Sequence, residues 1–244
     1  LFILSSISAI VFNGCGEVPV DSVPTLGRYS VVAVLSSDSE IQRLFIYSVF
    51  NASENRTPNE VFVSGAIVKV NDQQFIEMFD STYQIKFYGL YSPNLVRHDN
   101  DYSLLIVVGS DTITGFTRSP GFFSITYPPT MTNVRISSPA ETVLVRWQRS
   151  ANARGYTIYK FDPPQRSPSN TEIIVQGAVS SWITKDTTTL VVMRNIGRHV
   201  LKVGAFDKYY EQHFMNGIPT AGLRGAYGVF ASMVLDSIVV NVSR

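Results

Sequence analysis

The sequence predicts an all-β protein built as two tandem antiparallel β-sandwiches, and three observations carry that expectation. Short apolar or alternating runs separated by turn residues fill the chain from Arg28 onward, the pattern of a sandwich. Beyond the opening segment, no stretch of about a dozen residues keeps helical periodicity. Composition agrees: there are 15 Phe and 12 Tyr, while charged residues reach only 16%, below the ~25% usual in soluble domains. Few long polar helices are therefore expected.

The chain opens on an apolar run, Leu1 to Phe12, that leads through Asn13 and Gly14 to Cys15. About a dozen residues span roughly 18 Å as a helix, against about 30 Å of hydrocarbon, too short for a comfortable transmembrane helix. An apolar core ending at a small residue has the form of a secretory signal, so residues 1–14 are read as that segment. Cys15 is the only cysteine, which excludes an intramolecular disulfide scaffold. A lone cysteine directly after such a segment resembles the acceptor of a bacterial lipoprotein, cleaved before the cysteine and acylated on it. Asn13 and Phe12 depart from the small and aliphatic residues preferred there. Residues 15–27 then read as an acylated tether: Pro19, Pro24 and small polar residues keep it extended, to roughly 40 Å at full stretch.

Residues 28–128 are expected to form the first sandwich, one that resembles immunoglobulin-like or transthyretin-like domains. Tyr29 to Leu35 is a continuous β-branched run suited to a central strand, followed by Leu44 to Phe50 and a polar loop, residues 51–59. Residues 66–70 lead into a turn at Asn71-Asp72, from which Gln74 to Met78 returns as a hairpin. Tyr83, Ile85 and Phe87 alternate on one face of a further strand. Tyr102, Leu104, Ile106 and Val108 give the clearest period of two. Thr112 to Thr117 and Phe122 to Tyr127 complete the set.

Pro128-Pro129 marks the expected boundary, a short semi-rigid hinge. In residues 129–244, Val143, Val145 and Trp147 alternate, and Gly155-Tyr156-Thr157-Ile158-Tyr159 follows after a short loop. This Trp, loop and Gly-Tyr-x-x-Tyr is similar to the B and C strands of fibronectin type III domains. Met193, His199, Val203 and Ala205 are spaced like that family's E–F corner, with His199 in the place of the corner tyrosine. A corner tyrosine bonds the backbone a few residues upstream, and an imidazole nitrogen is expected to do the same. A long tail runs from Asp207 through Gly222, Gly225 and Gly228, whose spacing demands tight backbone packing, to a closing strand at Ser237 to Val242. The whole arrangement resembles exported lipoproteins of the Bacteroidota. That resemblance implies an outer-membrane lipoprotein of the cell envelope and supplies no active residues to transfer.

Net charge is +1, so no global field attracts nucleic acid, which is excluded as a partner. Residues 28–128 carry 7 basic and 10 acidic side chains, and residues 129–244 carry 13 and 7. The basic excess of the second part is read as scattered solvated arginines. No Gly-x-Ser-x-Gly elbow, His-Glu-x-x-His or phosphate loop is present, so no catalytic residue is assigned and no cofactor is expected. His98, Asp99 and Asp101 are the only local cluster of potential metal ligands, a weak one because Asx-rich turns form without metal.

Aromatic clusters give the best binding hint: Tyr209, Tyr210, Phe214 and Tyr227 in the long tail, with Tyr88 and Tyr91 in the first sandwich. The competing reading has these rings covering sheet edges or cementing the domains. The expected function is non-catalytic binding or scaffolding at the envelope, with membrane lipid reached through Cys15 and a protein or glycan as partner. The alternatives are an accessory hydrolase with a site between the domains and a component of a secretion or surface-assembly complex.

Overall fold

The computed structural model describes residues 28–50, 54–138, 141–163, 165–166, 173–174 and 178–244. Cys15 and the tether lie outside these residues. The first part of the chain forms β1 (Tyr29–Ser36), β2 (Ile41–Ser48), a helical turn α1 (Pro58–Val61), β3 (Ile67–Val70), β4 (Gln73–Asp80), β5 (Ile85–Tyr91), β6 (Asp101–Val108) and β7 (Asp111–Arg118). Then follow β8 (Ile125–Tyr127), β9 (Thr132–Arg135), β10 (Thr142–Trp147), β11 (Gly155–Phe161), a two-residue pair β12 (Gln165–Arg166) and β13 (Ile173–Ile174), β14 (Ala178–Thr184), β15 (Thr188–Val192) and β16 (Gly197–Phe206). The tail has a helical turn α2 (Lys208–Tyr210) continued by a wider turn at Glu211–Met215, then β17 (Thr220–Ala221), β18 (Leu223–Arg224) and β19 (Tyr227–Ser243). The protein is all-β, as the alternating patterns require.

In the first half β1 pairs with β2 and β2 with β5, and β5 with the end of β4. The start of β4 pairs instead with β3, which leads to β6, β7 and β18. β4 therefore carries the sheet from one layer to the other. Alternate residues point inward and meet in one core that includes Val31, Leu44, Val68, Phe75, Leu104, Ile106 and Ile113. The Asn71-Asp72 turn adopts φ of 45° and 64°, the left-handed values a tight hairpin demands, which Asn and Asp tolerate. Tyr83 does not share the strand face with Ile85 and Phe87 that the alternation predicts. It sits in the turn before β5 and is exposed.

In the second half a three-stranded sheet, β15-β10-β8, faces β14-β11-β16-β19. Val143, Val145, Trp147, Val191 and Met193 come from the first layer or just beyond it; Tyr156, Ile158, Leu201, Val203, Ala205, Val240 and Val242 come from the second, and all share one core. The strands expected from the Trp and Gly-Tyr-x-x-Tyr motifs thus lie in facing layers. The corner expectation also holds: buried His199 places Nε2 2.8 Å from the Asn195 carbonyl oxygen.

Two expectations need correction. The halves are not separated at Pro128-Pro129, because β8 already pairs with β10, while β18 and the first part of β19 pair with β7 and β1. Nor are all pairings antiparallel. β19 is a 17-residue strand that runs parallel to β1 through its first part and antiparallel to β16 through its second. β9 also runs parallel to its end. One strand therefore closes both sandwiches. Gly228, at φ +103°, marks its closest approach to β1: a Cβ there would stand 2.0 Å from the Val31 carbonyl oxygen. The tight packing expected of this glycine spacing is found here.

Candidate functional site

The site begins with a strand that runs out. β16 ends at Phe206, and Asp207 takes an extended conformation (φ −80°, ψ −179°), so its carboxylate caps the turn that follows. Oδ1 accepts hydrogen bonds from the amides of Tyr209 (3.1 Å) and Tyr210 (2.9 Å). Oδ2 accepts from the Thr117 hydroxyl of β7 and from the Ser232 amide of β19 (3.3 Å). Three segments from both halves thus converge on one carboxylate that is 2% exposed. Burial raises its pKa above the ordinary value, opposed by the Thr117 hydroxyl and the amide bonds.

This capped turn swings Tyr209 over the junction. Gly222 fixes the ring's other side, since a Cβ at this φ +70° position would lie 3.1 Å from the ring and 2.3 Å from the Phe230 carbonyl oxygen. The Gly222 carbonyl also accepts from the Phe116 amide at 2.9 Å. The result is a cleft of about 520 Å³ between the halves. Asp101, Phe116 and Arg118 line it from the first half; Asn152, Ala153 and Arg154 line it from the loop between β10 and β11; Asp207, Lys208 and Tyr209 complete it. A second trough of about 500 Å³ shares Ala153 and Arg154 and continues past Arg149, Lys185, Asp186 and Glu211.

Of the acids that line the cleft, Asp207 is buried in its hydrogen bonds and Asp101 is exposed beside Arg118. Arg118 Nε lies 3.1 Å from Asp99 Oδ1 and its Nη1 lies 3.7 Å from Asp101 Oδ1. Asn152 donates to the same Asp99 oxygen at 2.7 Å, across the junction. The Arg118 guanidinium holds the Asp99 carboxyl below the usual carboxylate range. Asp99 and Asp101, weak metal candidates in the sequence, therefore face a cation, and the His98 ring packs edge-on against Phe122 at 5.2 Å. Among the described residues no group of His, Cys, Asp and Glu is placed to hold a metal ion.

The aromatic candidates are scattered. Tyr209 lines the cleft and, with Tyr210, also packs against the buried cluster of Ala221, Val229 and Ala231, so both rings cover the strand that joins the halves. Phe206, Tyr210 and Phe214 form a ladder with centroids 4.8 and 4.6 Å apart, of which Phe214 is the exposed end. Tyr227 begins β19, half-buried opposite Ser30. Tyr91 is exposed at the end of β5. Tyr88 is a correction: it is buried in the first core, donates to the Val63 carbonyl at 2.8 Å and accepts from the Ala66 amide at 2.9 Å. At 1% exposure it is not part of a surface, and that burial pushes its pKa up to about 12.

Sequence reasoning missed Arg118, Asn152 and Arg154. Arg154 belongs to a polar loop at a sandwich end, where recognition commonly sits, but nothing local brings Arg118 across to it.

A second buried cluster closes the other end of the second core. Asp162 Oδ1 lies 3.1 Å from Lys160 Nζ and 3.0 Å from His199 Nδ1, while Lys160 donates to the Val192 carbonyl at 3.1 Å. Lys160 thereby bridges the two layers, a structural role.

The sequence matches no protein-family model, and no curated protein matches it. Among solved structures it is similar to the fibronectin(III)-like modules of Clostridium thermocellum CbhA, with 12% identity over 88% of this chain and 94% of that one, at a TM-score of 0.28. It is also similar to an I-band fragment of titin, with 7% identity, 90% coverage of this chain and a TM-score of 0.22; the chain spans 65% of that fragment. At these TM-scores the likenesses carry no argument. The sandwich assignment stands on strand pairing and on the two cores.

Proposed function

We propose that this chain is an outer-membrane lipoprotein of the bacterial envelope, held to lipid through acylated Cys15, and that its joined sandwiches bind a protein or glycan without chemistry. The junction cleft is the seat of that ligand. The observation that carries this reading is the state of its acids: Asp207 is buried under five donors, and exposed Asp101 faces the Arg118 guanidinium at 3.7 Å. A hydrolase between the domains would need such carboxylates free to exchange protons with substrate. A concave surface with polar and aromatic walls suits binding instead.

Two measurements test the two parts. The intact mass of the mature N-terminus should show a diacylated or triacylated Cys15; an unmodified cysteine removes the anchor. A screen of immobilised glycans and envelope proteins should yield a ligand whose retention drops in Phe116→Ala and Tyr209→Ala, and retention indifferent to both variants removes the seat.

Strand addition is the second reading. Among the described residues β14 pairs only with β11 and leaves an edge free for an incoming strand, as a surface-assembly component would require. A proline at Ser181 should abolish assembly under that reading and leave cleft binding intact.

A further inference from the structure

The cleft named above as the ligand seat has a lining that specifies a chemistry, and the inference that follows rests on that reading. Two rings line it: Phe116, 48% exposed, and half-buried Tyr209, over which Lys208 lies. Its cations divide into two groups. Arg118 is taken by Asp99 and Asp101, and in the adjoining trough Lys185 is taken by Glu211 at 2.8 Å. Arg149, Arg154 and Lys208 are exposed and have no carboxylate partner among the described residues. Lys208 Nζ instead sits 4.6 Å from the centroid of the Tyr209 ring. Asp207 lies behind the surface with both oxygens filled. A solute entering the cleft therefore meets aromatic rings, the Asn152 side chain, the exposed Asp101 carboxylate beside Arg118, and the cations Arg154 and Lys208, which no carboxylate pairs among the described residues. Arg154 lies on the wall common to cleft and trough, so a ligand running from one into the other must pass its guanidinium.

We propose that the junction binds an acidic saccharide: a carboxylate-bearing glycan whose sugar rings lie on Phe116 and Tyr209 and whose carboxylates pair with Arg154, Lys208 and Arg149. A guanidinium matches a carboxylate through two parallel N–H donors, and an aromatic face takes the C–H face of a sugar ring. An acidic peptide supplies the charges but no rigid apolar ring faces to match Phe116 and Tyr209.

Isothermal titration of the full chain in detergent tests this with oligogalacturonate, a neutral oligosaccharide of equal length, and poly-glutamate. Oligogalacturonate should bind, more weakly as salt is raised. Arg154→Ala should weaken it about tenfold or more, and Arg154→Lys less, since the charge stays but the fork is lost. The neutral sugar and poly-glutamate should not bind. No oligogalacturonate binding, equal affinity for poly-glutamate, or affinity unchanged in Arg154→Ala each overturns the proposal. A ligand found by screening that is lost in Phe116→Ala and Tyr209→Ala, alongside silent oligogalacturonate, overturns the acidic saccharide and keeps the seat. Oligogalacturonate binding that ignores all three positions overturns both.

Discussion

The two halves enclose their cores differently. The second sets two separate sheets face to face, with β15-β10-β8 on one side and β14-β11-β16-β19 on the other. The first bends a continuous sheet through β4, whose ends pair with different neighbours, and shuts the far side with β18 and β19. The difference matters because β19 belongs to both. Its Phe230 fills the first core and its Val240 the second. Neither half can keep its closing strand if the other lets go, so the protein should unfold as one unit despite two cores.

The largest test of that comparison is Phe230→Ala. Emptying this fully buried site should cost about 3–5 kcal/mol. Both tryptophans, Trp147 and Trp182, lie in the second half, so tryptophan fluorescence in urea reports on the half that was not mutated. The fluorescence and far-UV dichroism transitions should shift together; a fluorescence midpoint that stays put would show that the halves unfold separately.

Gly228→Ala comes next. Its Cβ would meet the Val31 backbone, and a loss of about 3 kcal/mol is expected. Gly109→Ala, at φ +58° with open space around it, serves as the control and should lose only about 1 kcal/mol. Similar losses at both sites would mean that close packing of β1 on β19 contributes little.

Asp207 sharpens the comparison at the seam itself. Asp207→Ala removes the cap and leaves the Ser232 amide without its carboxylate acceptor, while Thr117 keeps only the Ser232 hydroxyl, at a cost of about 2–3 kcal/mol in thermal denaturation. Because burial lifts its pKa above 3.8, the stability linked to its titration is fully present below that value and is lost as pH rises through the folded pKa. Asp207→Asn cannot ionise, so it should flatten the dependence of stability on pH from about pH 4 upward. An unchanged slope would show that this carboxyl does not carry it.

The smallest effect is expected at the Lys202–Asp38 pair, which joins β16 to the β1–β2 turn with side chains 28% and 45% exposed. Lys202→Ala should cost less than about 1 kcal/mol and nothing measurable at high salt. A larger loss would make this contact a true clamp between the halves.

Much of this was legible in the chain. β1 falls where its continuous β-branched run places it, and the β3–β4 hairpin and β6 where the Asn71-Asp72 turn and alternation place them, because a strand with one buried face writes its period into the sequence. His199 was legible as a corner residue from spacing alone and does bond the chain upstream. The first part of β19 was not. Val229 to Val234 is buried on both faces, so the run shows no alternation and reads as a loop segment beside its glycines. Tyr88 misled for the converse reason: a tyrosine's polar tip looks like a surface group until an internal carbonyl and amide are found for it. The cleft was illegible, since Arg118 and Arg154 meet only through pairing between distant strands.

By itself the sequence determined the strands with one wet face, the hairpin turns and the second core, because each depends on neighbours a few residues apart. Tertiary structure alone decided that β19 serves two cores, that Asp207 draws Thr117 and Ser232 together, and that a polar cleft opens beside it. Those features depend on contacts between residues far apart in the chain, whose geometry is set only when both cores close on the same strand.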